Sequence, residues 1–245
     1  MQDWKSKVNY AKDAGYNLVL SSEELDRPDV DMTVFTSALL PQYKIHAVLY
    51  YRRFYDWLHS LYNQVTKNHH KNLTYVEWLD EDMFERDYDL YAVEVYTRYM
   101  KVPGVFNVSV VNMHEDPHNF NTNARFACGH MDNAPHLCKI AKSIRIEHRN
   151  PSVSLDWMLF RKRLSLHHSI KLTDSDGRWE AIKAKFLTMT DIPKICLSNK
   201  WQSKLLQVSL EAEMFLTPKA WYSSKEGLES LKSDFKEYGP NSVVF

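Results

Sequence analysis

The stretch from Ile45 to Gln64, IHAVLYYRRFYDWLHSLYNQ, decides the fold prediction for this chain. The segment from Lys44 to Tyr51 is rich in β-branched and aromatic residues, a composition that is typical of a buried strand. From Phe54 to about Asn68 the apolar residues recur at the spacing of an amphipathic helix. A buried strand that passes directly into an amphipathic helix favours an α/β sheet.

Further elements are predicted on both sides of this stretch. The apolar run Asn17–Leu20 and the segment Val105–Met113 are additional strand candidates, so the predicted sheet is thin. Helices are predicted over residues 4–14, 30–40, 73–84, 89–100, 152–168, 177–187, 199–216 and 225–238. The alternation favours a mostly parallel sheet flanked by helices, with a largely helical C-terminal half. We expect one domain over residues 1–245, with an α/β core in 1–115 and a helical remainder in 116–245.

Composition narrows the class of protein. The 245 residues include 31 basic and 31 acidic side chains, so the chain lacks the basic excess typical of nucleic-acid binding. No stretch approaches the roughly 18 consecutive apolar residues of a membrane span, and we predict no membrane segment. The 6 glycines are scattered, which excludes loops of clustered glycines that hold phosphates by backbone amides. A bound nucleotide would need side chains, or a segment that this chain lacks.

Two arginines follow the predicted strand directly. Arg52 and Arg53 stand where the strand gives way to the helix, and ligands of parallel α/β sheets gather at the carboxyl ends of strands. Guanidinium groups offer forked donors that suit phosphate or sulfate. Ser60 lies about two turns into the helix, and we expect its hydroxyl to face the same anion. The alternative is that the arginines cap the helix or form surface ion pairs, and that the serine is an ordinary helix-surface residue.

The order strand, Arg52, seven residues, Ser60 and then the aromatic Tyr62 resembles the 3′-phosphate-binding segment of sulfotransferases. These enzymes use 3′-phosphoadenosine 5′-phosphosulfate, and the matching arginine and serine hold the 3′-phosphate of that nucleotide. The resemblance implies that Arg52 and Ser60 bind this phosphate and that Arg53 adds positive potential. The usual Asn-Pro or Asp-Pro after the arginine is replaced here by Arg53-Phe54.

A second segment, LVLSSEEL at residues 18–25, resembles the strand and turn that precede the phosphate-binding segment in carbohydrate-type sulfotransferases. A glutamate near that strand end acts as the base in those enzymes. The resemblance therefore implies Glu23 as the catalytic residue, with Glu24 as the next candidate. The alternative is that both acids favour the dipole of the following helix. Residues 110–115 and 201–213 also resemble sulfotransferase-like proteins of algal type.

The resemblance implies a three-layer P-loop nucleotide fold that transfers a sulfuryl group to an acceptor hydroxyl or amine, on a carbohydrate or another small acceptor. It implies 3′-phosphoadenosine 5′-phosphosulfate as donor. We expect no metal site. The compartment stays open: the Golgi lumen is expected if the resemblance holds and an N-terminal anchor is missing from this chain, which as given is expected to be soluble. The family's Lys-Thr-Gly-Thr-Thr loop, which holds the 5′-phosphosulfate, has no counterpart before Asn17, so we expect a chain that starts downstream of the family's N-terminus. The alternative function is a non-catalytic remnant of the fold that serves as a binding or interaction module.

A symmetric Cys/His cluster occupies residues 128–138. Its members are Cys128, His130, His136 and Cys138. Three interpretations stay open: free thiols, which we favour, a disulfide in a luminal protein, and a zinc-binding module, for which the spacing fits none of the common ligand patterns. Cys196 is unpaired in each of them.

Two glycosylation sequons are present, at Asn72-Leu73-Thr74 and Asn107-Val108-Ser109. The second lies in a strand that we predict to be buried. Only Asn72 is therefore expected to be accessible.

Overall fold

The protein is described by a computed structural model. The structure describes residues 2–40, 42–68, 73, 75–81, 85–114, 122–131, 134–144, 181–182, 184–185, 197–217, 229, 231–233 and 235. Contacts divide the chain into two compact units. The sheet unit comprises Met1–Arg52 and Asp87–Ile144, and the helical unit comprises Arg53–Arg86 and Arg145–Phe245.

The helices and strands of the described residues follow a simple chain order. They are α1 (Gln2–Asp13), α2 (Met32–Leu39), β1 (Ile45–Tyr51), α3 (Phe54–Asn68), α4 (Tyr75–Asp80), α5 (Ala92–Tyr99), β2 (Val105–Asn112), α6 (Thr122–Gly129), α7 (Pro135–Ser143) and α8 (Asn199–Leu216). Short 3₁₀ helices cover Glu23–Asp26 and Glu85–Leu90. Further helical residues lie at 181–182, 184–185, 229, 231–233 and 235.

Strands β1 and β2 pair in parallel, which confirms the predicted strand direction. Tyr51 lies opposite Asn112 at the carboxyl end of the pair, and the register is irregular after Ile45. A parallel pair needs a long connection, and α3, α4 and α5 lie between the two strands in sequence. Within the described ranges the sheet has 2 strands. The architecture is therefore α/β with a short parallel sheet and mostly helical content.

The strand predicted over Asn17–Leu20 is wrong. These residues carry no strand pairing, and Val19 is 51% exposed, so the apolar run neither joins the sheet nor enters the core. A strand needs a neighbour to satisfy its backbone groups, and a local apolar run cannot supply one. The preceding helix ends as predicted near Gly15, which has a φ of +68°, and Tyr16 N donates to the Ala11 carbonyl at 2.8 Å.

One face of the sheet carries the core of the sheet unit. Buried side chains from α2, β1, α5 and β2 pack together there: Met32, Leu49, Val95, Tyr99 and Val108. The chain turns into β2 at Gly104, whose φ is +86°, and a Cβ at that position would collide with the side chain of Leu40. The sheet is therefore fixed on this face by helix packing.

Helices α3 and α8 have the bounds that their periodicity predicts. Within the helical unit they pack against each other, and the backbone N–H of Tyr55 donates to Ser209 Oγ at 3.4 Å. Helix α8 is also fastened to α4, because Trp201 Nε1 donates to Asp80 Oδ1 at 2.6 Å. The described elements of this unit are helices, with aromatic contacts between α3 and α4.

Several predictions have other outcomes. The predicted helix over 152–168 lies outside the described residues, as do Asn72 and Cys196. Helices α6 and α7 were not predicted, although Pro135 at the first position of α7 is a helix-start signal. Among the described residues, no helix combines the length and the apolar character needed to cross a membrane.

Candidate functional site

The carboxyl edge of the parallel pair brings two chain segments together. Strand β1 is followed by Arg52, and β2 is followed by Met113. The backbone N–H of Met113 donates to the Tyr51 carbonyl at 3.0 Å, so the pairing continues past Asn112. Because the strands are parallel, both ends lie at the same edge, where α/β proteins commonly bind ligands.

Arg52 is half-buried at this edge, and its Nε donates to Met113 Sδ at 3.4 Å. A thioether is a weak, uncharged acceptor, so this contact orients the guanidinium without neutralising its charge. No carboxylate of the described residues forms an ion pair with it. Arg52 therefore lies at this edge with an unbalanced charge among the described residues, and its role as an anion-binding residue stays a prediction.

The loop after β2 is shaped by a side chain. Asn112 is buried, with 3% exposure, and its Oδ1 accepts a hydrogen bond from the backbone N–H of His114 at 2.9 Å. This is the local turn that asparagine favours, in which the side chain replaces a backbone acceptor. The turn encloses Met113, so it also fixes the position of the residue that contacts Arg52.

Arg53 occupies a different environment, inside the helical unit. Its guanidinium is 1% exposed and its Nε donates to Glu213 Oε1 at 2.7 Å, while a second nitrogen contacts the Tyr55 hydroxyl at 3.4 Å. Burial by itself lowers the pKa of Arg53, but the charge of Glu213, the Tyr55 hydroxyl and the hydrogen bonds to both together outweigh it, so the net direction is upward. The structure thus assigns Arg53 a buried ion pair, and its predicted role at the nucleotide stays a prediction.

Ser60 and Tyr62 lie on α3, in the helical unit. Ser60 is partly exposed. Tyr62 is 1% exposed, its hydroxyl donates to the Leu73 carbonyl at 2.7 Å, and burial raises its pKa. Its ring also contacts Tyr75 and Trp78, at centroid distances of 5.3 and 5.5 Å. Tyr62 is therefore a core residue. Ser60 stays the predicted phosphate-binding residue of the two.

Glu23 begins the 3₁₀ helix Glu23–Asp26, whose first residues are capped by Ser22. The neighbouring Glu24 forms a surface ion pair with Arg27, in which Arg27 Nη1 donates to Glu24 Oε2 at 3.0 Å. The Tyr99 hydroxyl donates to the Leu25 carbonyl at 3.0 Å, which fastens this short helix to α5. Both acids thus lie within a four-residue 3₁₀ helix, and both the catalytic role of Glu23 and the alternative stay predictions.

The two cysteines of the Cys/His cluster at residues 128–138 are oxidised rather than free. Cys128 on α6 and Cys138 on α7 form a disulfide, so the favoured interpretation of free thiols is wrong. A local spacing cannot reveal the pairing, which depends on the two helices lying side by side. His130 and His136 lack cysteine thiolates as co-ligands, and within the described ranges no group of three metal-ligating side chains is present.

A polar cluster on the sheet was not predicted from the sequence. His46 Nε2 lies 2.7 Å from Ser109 Oγ, and Asn107 Nδ2 lies 3.3 Å from each of those atoms. Asn107 is exposed, which corrects the expectation that its strand buries it. The sequence signal was the two-residue spacing of Asn107 and Ser109 along β2, which places both on one face of the strand.

Comparisons with known proteins give no match: none was found among protein-family models, curated proteins or solved structures. Neither a family nor an activity can therefore be carried over from a relative. The function has to be argued from the residues and their geometry.

Proposed function

We propose that the protein binds a 3′-phosphorylated adenosine nucleotide through Arg52 and transfers a sulfuryl group from it. The single observation that carries the proposal is the position of Arg52. It follows β1 at the carboxyl edge of a parallel pair, where it is held by Met113 and forms no ion pair within the described residues. An arginine that is oriented but not neutralised is suited to bind an incoming anion.

The chemistry of the anion follows from the donor. A guanidinium presents a flat fork of N–H groups that matches two oxygens of a phosphate. The 3′-phosphate of 3′-phosphoadenosine 5′-phosphosulfate is such a group, and the resemblance of the Arg52–Ser60 segment to sulfotransferases singles out this nucleotide. Ser60 is the second residue that the sequence motif assigns to the same phosphate.

In the proposed reaction, an acceptor oxygen attacks the sulfur of the donor in line. The bond between sulfur and the phosphate oxygen breaks, and 3′-phosphoadenosine 5′-phosphate leaves with the electron pair. The acceptor proton passes to a base, for which Glu23 is the candidate by resemblance. A carbohydrate or another small hydroxyl compound is the proposed acceptor.

A second candidate function is nucleotide binding without transfer. It is favoured by the positions of two glycines, since Gly15 ends α1 and Gly104 precedes β2. Both therefore serve turns of the fold, and neither forms part of a loop that could hold a 5′-phosphosulfate. Such a loop acts where charge develops in the transition state, so an enzyme depends on it more than a binding module does.

The disulfide supports the compartment that the resemblance implies. Cys128 and Cys138 are joined, and disulfides persist in oxidising compartments. We therefore propose the secretory pathway as the compartment, with the Golgi lumen as the proposed site of sulfuryl transfer.

Calorimetric titration tests the binding step. We expect 3′-phosphoadenosine 5′-phosphate to bind better than adenosine 5′-phosphate, because only the first carries a phosphate for Arg52. Arg52→Ala should remove a charge-assisted contact and weaken binding by about tenfold or more. Arg52→Lys should recover only part of the loss, since lysine keeps the charge but not the fork. Lys142→Ala, at an exposed position of α7, is the charge-matched control and should bind as the wild type does.

Two results would overturn the binding step: equal affinity for the two nucleotides, or an Arg52→Ala variant with wild-type affinity. Ser60→Ala separates the two residues of the motif. A loss with Arg52→Ala alone would remove Ser60 from the proposal.

Turnover assays separate the enzyme from the binding module. We expect transfer from a labelled sulfate donor to a panel of sugars and phenols, and Glu23→Gln should lower it by roughly 10²-fold while leaving nucleotide affinity unchanged. Full turnover in Glu23→Gln would take the role of base from this residue. Nucleotide binding without transfer to any acceptor would favour the module.

A further inference from the structure

The second face of the sheet carries a compact polar cluster. His46 opposes Asn107 in the register, and Ser109 follows two residues later on the same face of β2. The shortest contact joins His46 Nε2 and Ser109 Oγ at 2.7 Å. His46 and Asn107 are exposed and Ser109 is partly exposed, so a small molecule can reach all three side chains.

We propose that Ser109 is a nucleophile activated by His46, and that this site cleaves carboxylic esters of small acyl groups. A serine hydroxyl is a weak nucleophile unless an adjacent base takes its proton. The distance between Ser109 Oγ and His46 Nε2 is the hydrogen-bond distance that this transfer requires. The site is distinct from Arg52 and does not depend on sulfuryl transfer.

Asn107 supplies the third element of such a site. Its Nδ2 lies 3.3 Å from Ser109 Oγ and 3.3 Å from His46 Nε2. An amide N–H beside the attacking oxygen can donate to the negative charge that forms on the carbonyl oxygen of the substrate. The same amide holds the hydroxyl and the imidazole close together before the substrate arrives.

His130 holds the imidazole of His46 in place. The two rings meet edge to face, with centroids 5.6 Å apart and an angle of 74° between their planes. Burial and the proximity of His46 lower the pKa of His130. The backbone N–H of His130 donates to the Phe126 carbonyl at 2.9 Å, which fixes the main chain of His130 at the end of α6.

The proposed step balances as an ordinary acyl transfer. Ser109 Oγ forms a bond to the carbonyl carbon of the ester, and its proton moves to His46 Nε2. The bond between that carbon and the alkoxy oxygen then breaks, and the leaving alcohol takes the proton from His46. Water, deprotonated by His46, releases the carboxylic acid and restores the Ser109 hydroxyl.

A fluorophosphonate probe tests the nucleophile directly, since Ser109 Oγ would displace fluoride and form a bond to phosphorus. We expect the intact chain to gain the mass of one phosphonyl group, and peptide mapping to place it on Ser109. The same protein should release a burst of 4-nitrophenol from 4-nitrophenyl acetate. Ser109→Ala should abolish both signals, and His46→Gln should slow labelling by roughly 10²-fold because the base is lost.

Ser37→Ala is the matched control, because Ser37 is also exposed in the sheet unit but donates only to the Thr33 carbonyl, at 2.6 Å. It should label as the wild type does. Since His46 is exposed, His46→Gln keeps the test decisive even where Ser109→Ala disturbs the sheet. Absence of label on Ser109 in the folded wild type, or labelling at the same rate in His46→Gln, would overturn the proposal.

Discussion

Arg52 and Arg53 are neighbours in sequence, yet they belong to different units and carry their charges in opposite ways. In the sheet unit Arg52 is half-buried beside a thioether and pairs with no carboxylate of the described residues. In the helical unit Arg53 is 1% exposed and is neutralised by Glu213, which is 0% exposed. Arg52 therefore carries a charge that no carboxylate of the described residues balances, whereas the charge of Arg53 is balanced by a carboxylate on α8.

The partner of each arginine explains why the sequence alone treats them alike. Glu213 lies 160 residues from Arg53, and Met113 lies 61 residues from Arg52. Neither contact has a local signature, because each depends on two distant elements packing side by side. The pattern Arg52-Arg53 predicts positive charge at the strand end, and only the fold shows that Arg53 forms a buried ion pair whereas Arg52 lies beside a thioether.

The largest effect is expected from breaking the buried pair. Glu213→Leu should lower the free energy of unfolding by about 3–5 kcal/mol, because Arg53 loses the carboxylate that balances its buried charge. Urea unfolding followed by circular dichroism measures this loss. The double variant Arg53→Met, Glu213→Leu should recover most of it, since an apolar pair of similar volume replaces the ions.

The exposed Arg27, which pairs with Glu24 and Asp29 at 3.0 and 2.8 Å, supplies the control. Arg27→Ala should change the urea midpoint little, because surface ion pairs are screened by water. If Glu213→Leu behaved like Arg27→Ala, the structural role of Arg53 would be contradicted.

A smaller loss is expected from the disulfide of the sheet unit. Replacing Cys128 and Cys138 by serine should lower the free energy of unfolding by about 2–3 kcal/mol, because the bond closes a short loop in the unfolded chain. Lys139→Ser, at an exposed position of α7, is the control and should leave the midpoint unchanged. Thermal unfolding with and without reductant gives the comparison. An unchanged midpoint in the double serine variant would mean that this bond does not stabilise the unit.

The sequence predicts local elements well and contacts between distant elements poorly. Helices α3 and α8 have the predicted bounds and strand β1 begins one residue later than predicted, because buried runs and helical periodicity are local properties. The strand predicted over Asn17–Leu20 fails because it lacks a partner strand. The same limit applies to the candidate sites. The place of Arg52 at the end of a strand could be predicted, because it depends on neighbouring residues alone. The contact of His46 with Ser109 could not, because it depends on the register of β1 and β2.

The smallest effect is expected from histidine titration. Burial lowers the pKa of His59 below its ordinary 6.5, and this outweighs the opposing charge of Asp56. The imidazole therefore binds a proton more readily in the unfolded chain than in the folded one. The free energy of unfolding should decline for this reason as the pH falls below about 6.5. His59→Leu should flatten this decline in urea midpoints measured between pH 7.5 and about pH 5. The exposed His136→Leu is the control, and an unchanged slope in His59→Leu would contradict the account.

Urea unfolding with and without 3′-phosphoadenosine 5′-phosphate tests the division between the two arginines most directly. At about 100 times its dissociation constant the nucleotide should stabilise the wild type by about 2.7 kcal/mol. Arg52→Ala should match the wild type without ligand but gain only about 1.4 kcal/mol with it, as a roughly tenfold weaker affinity requires. A full gain in Arg52→Ala, or a large loss of stability without ligand, would contradict the account.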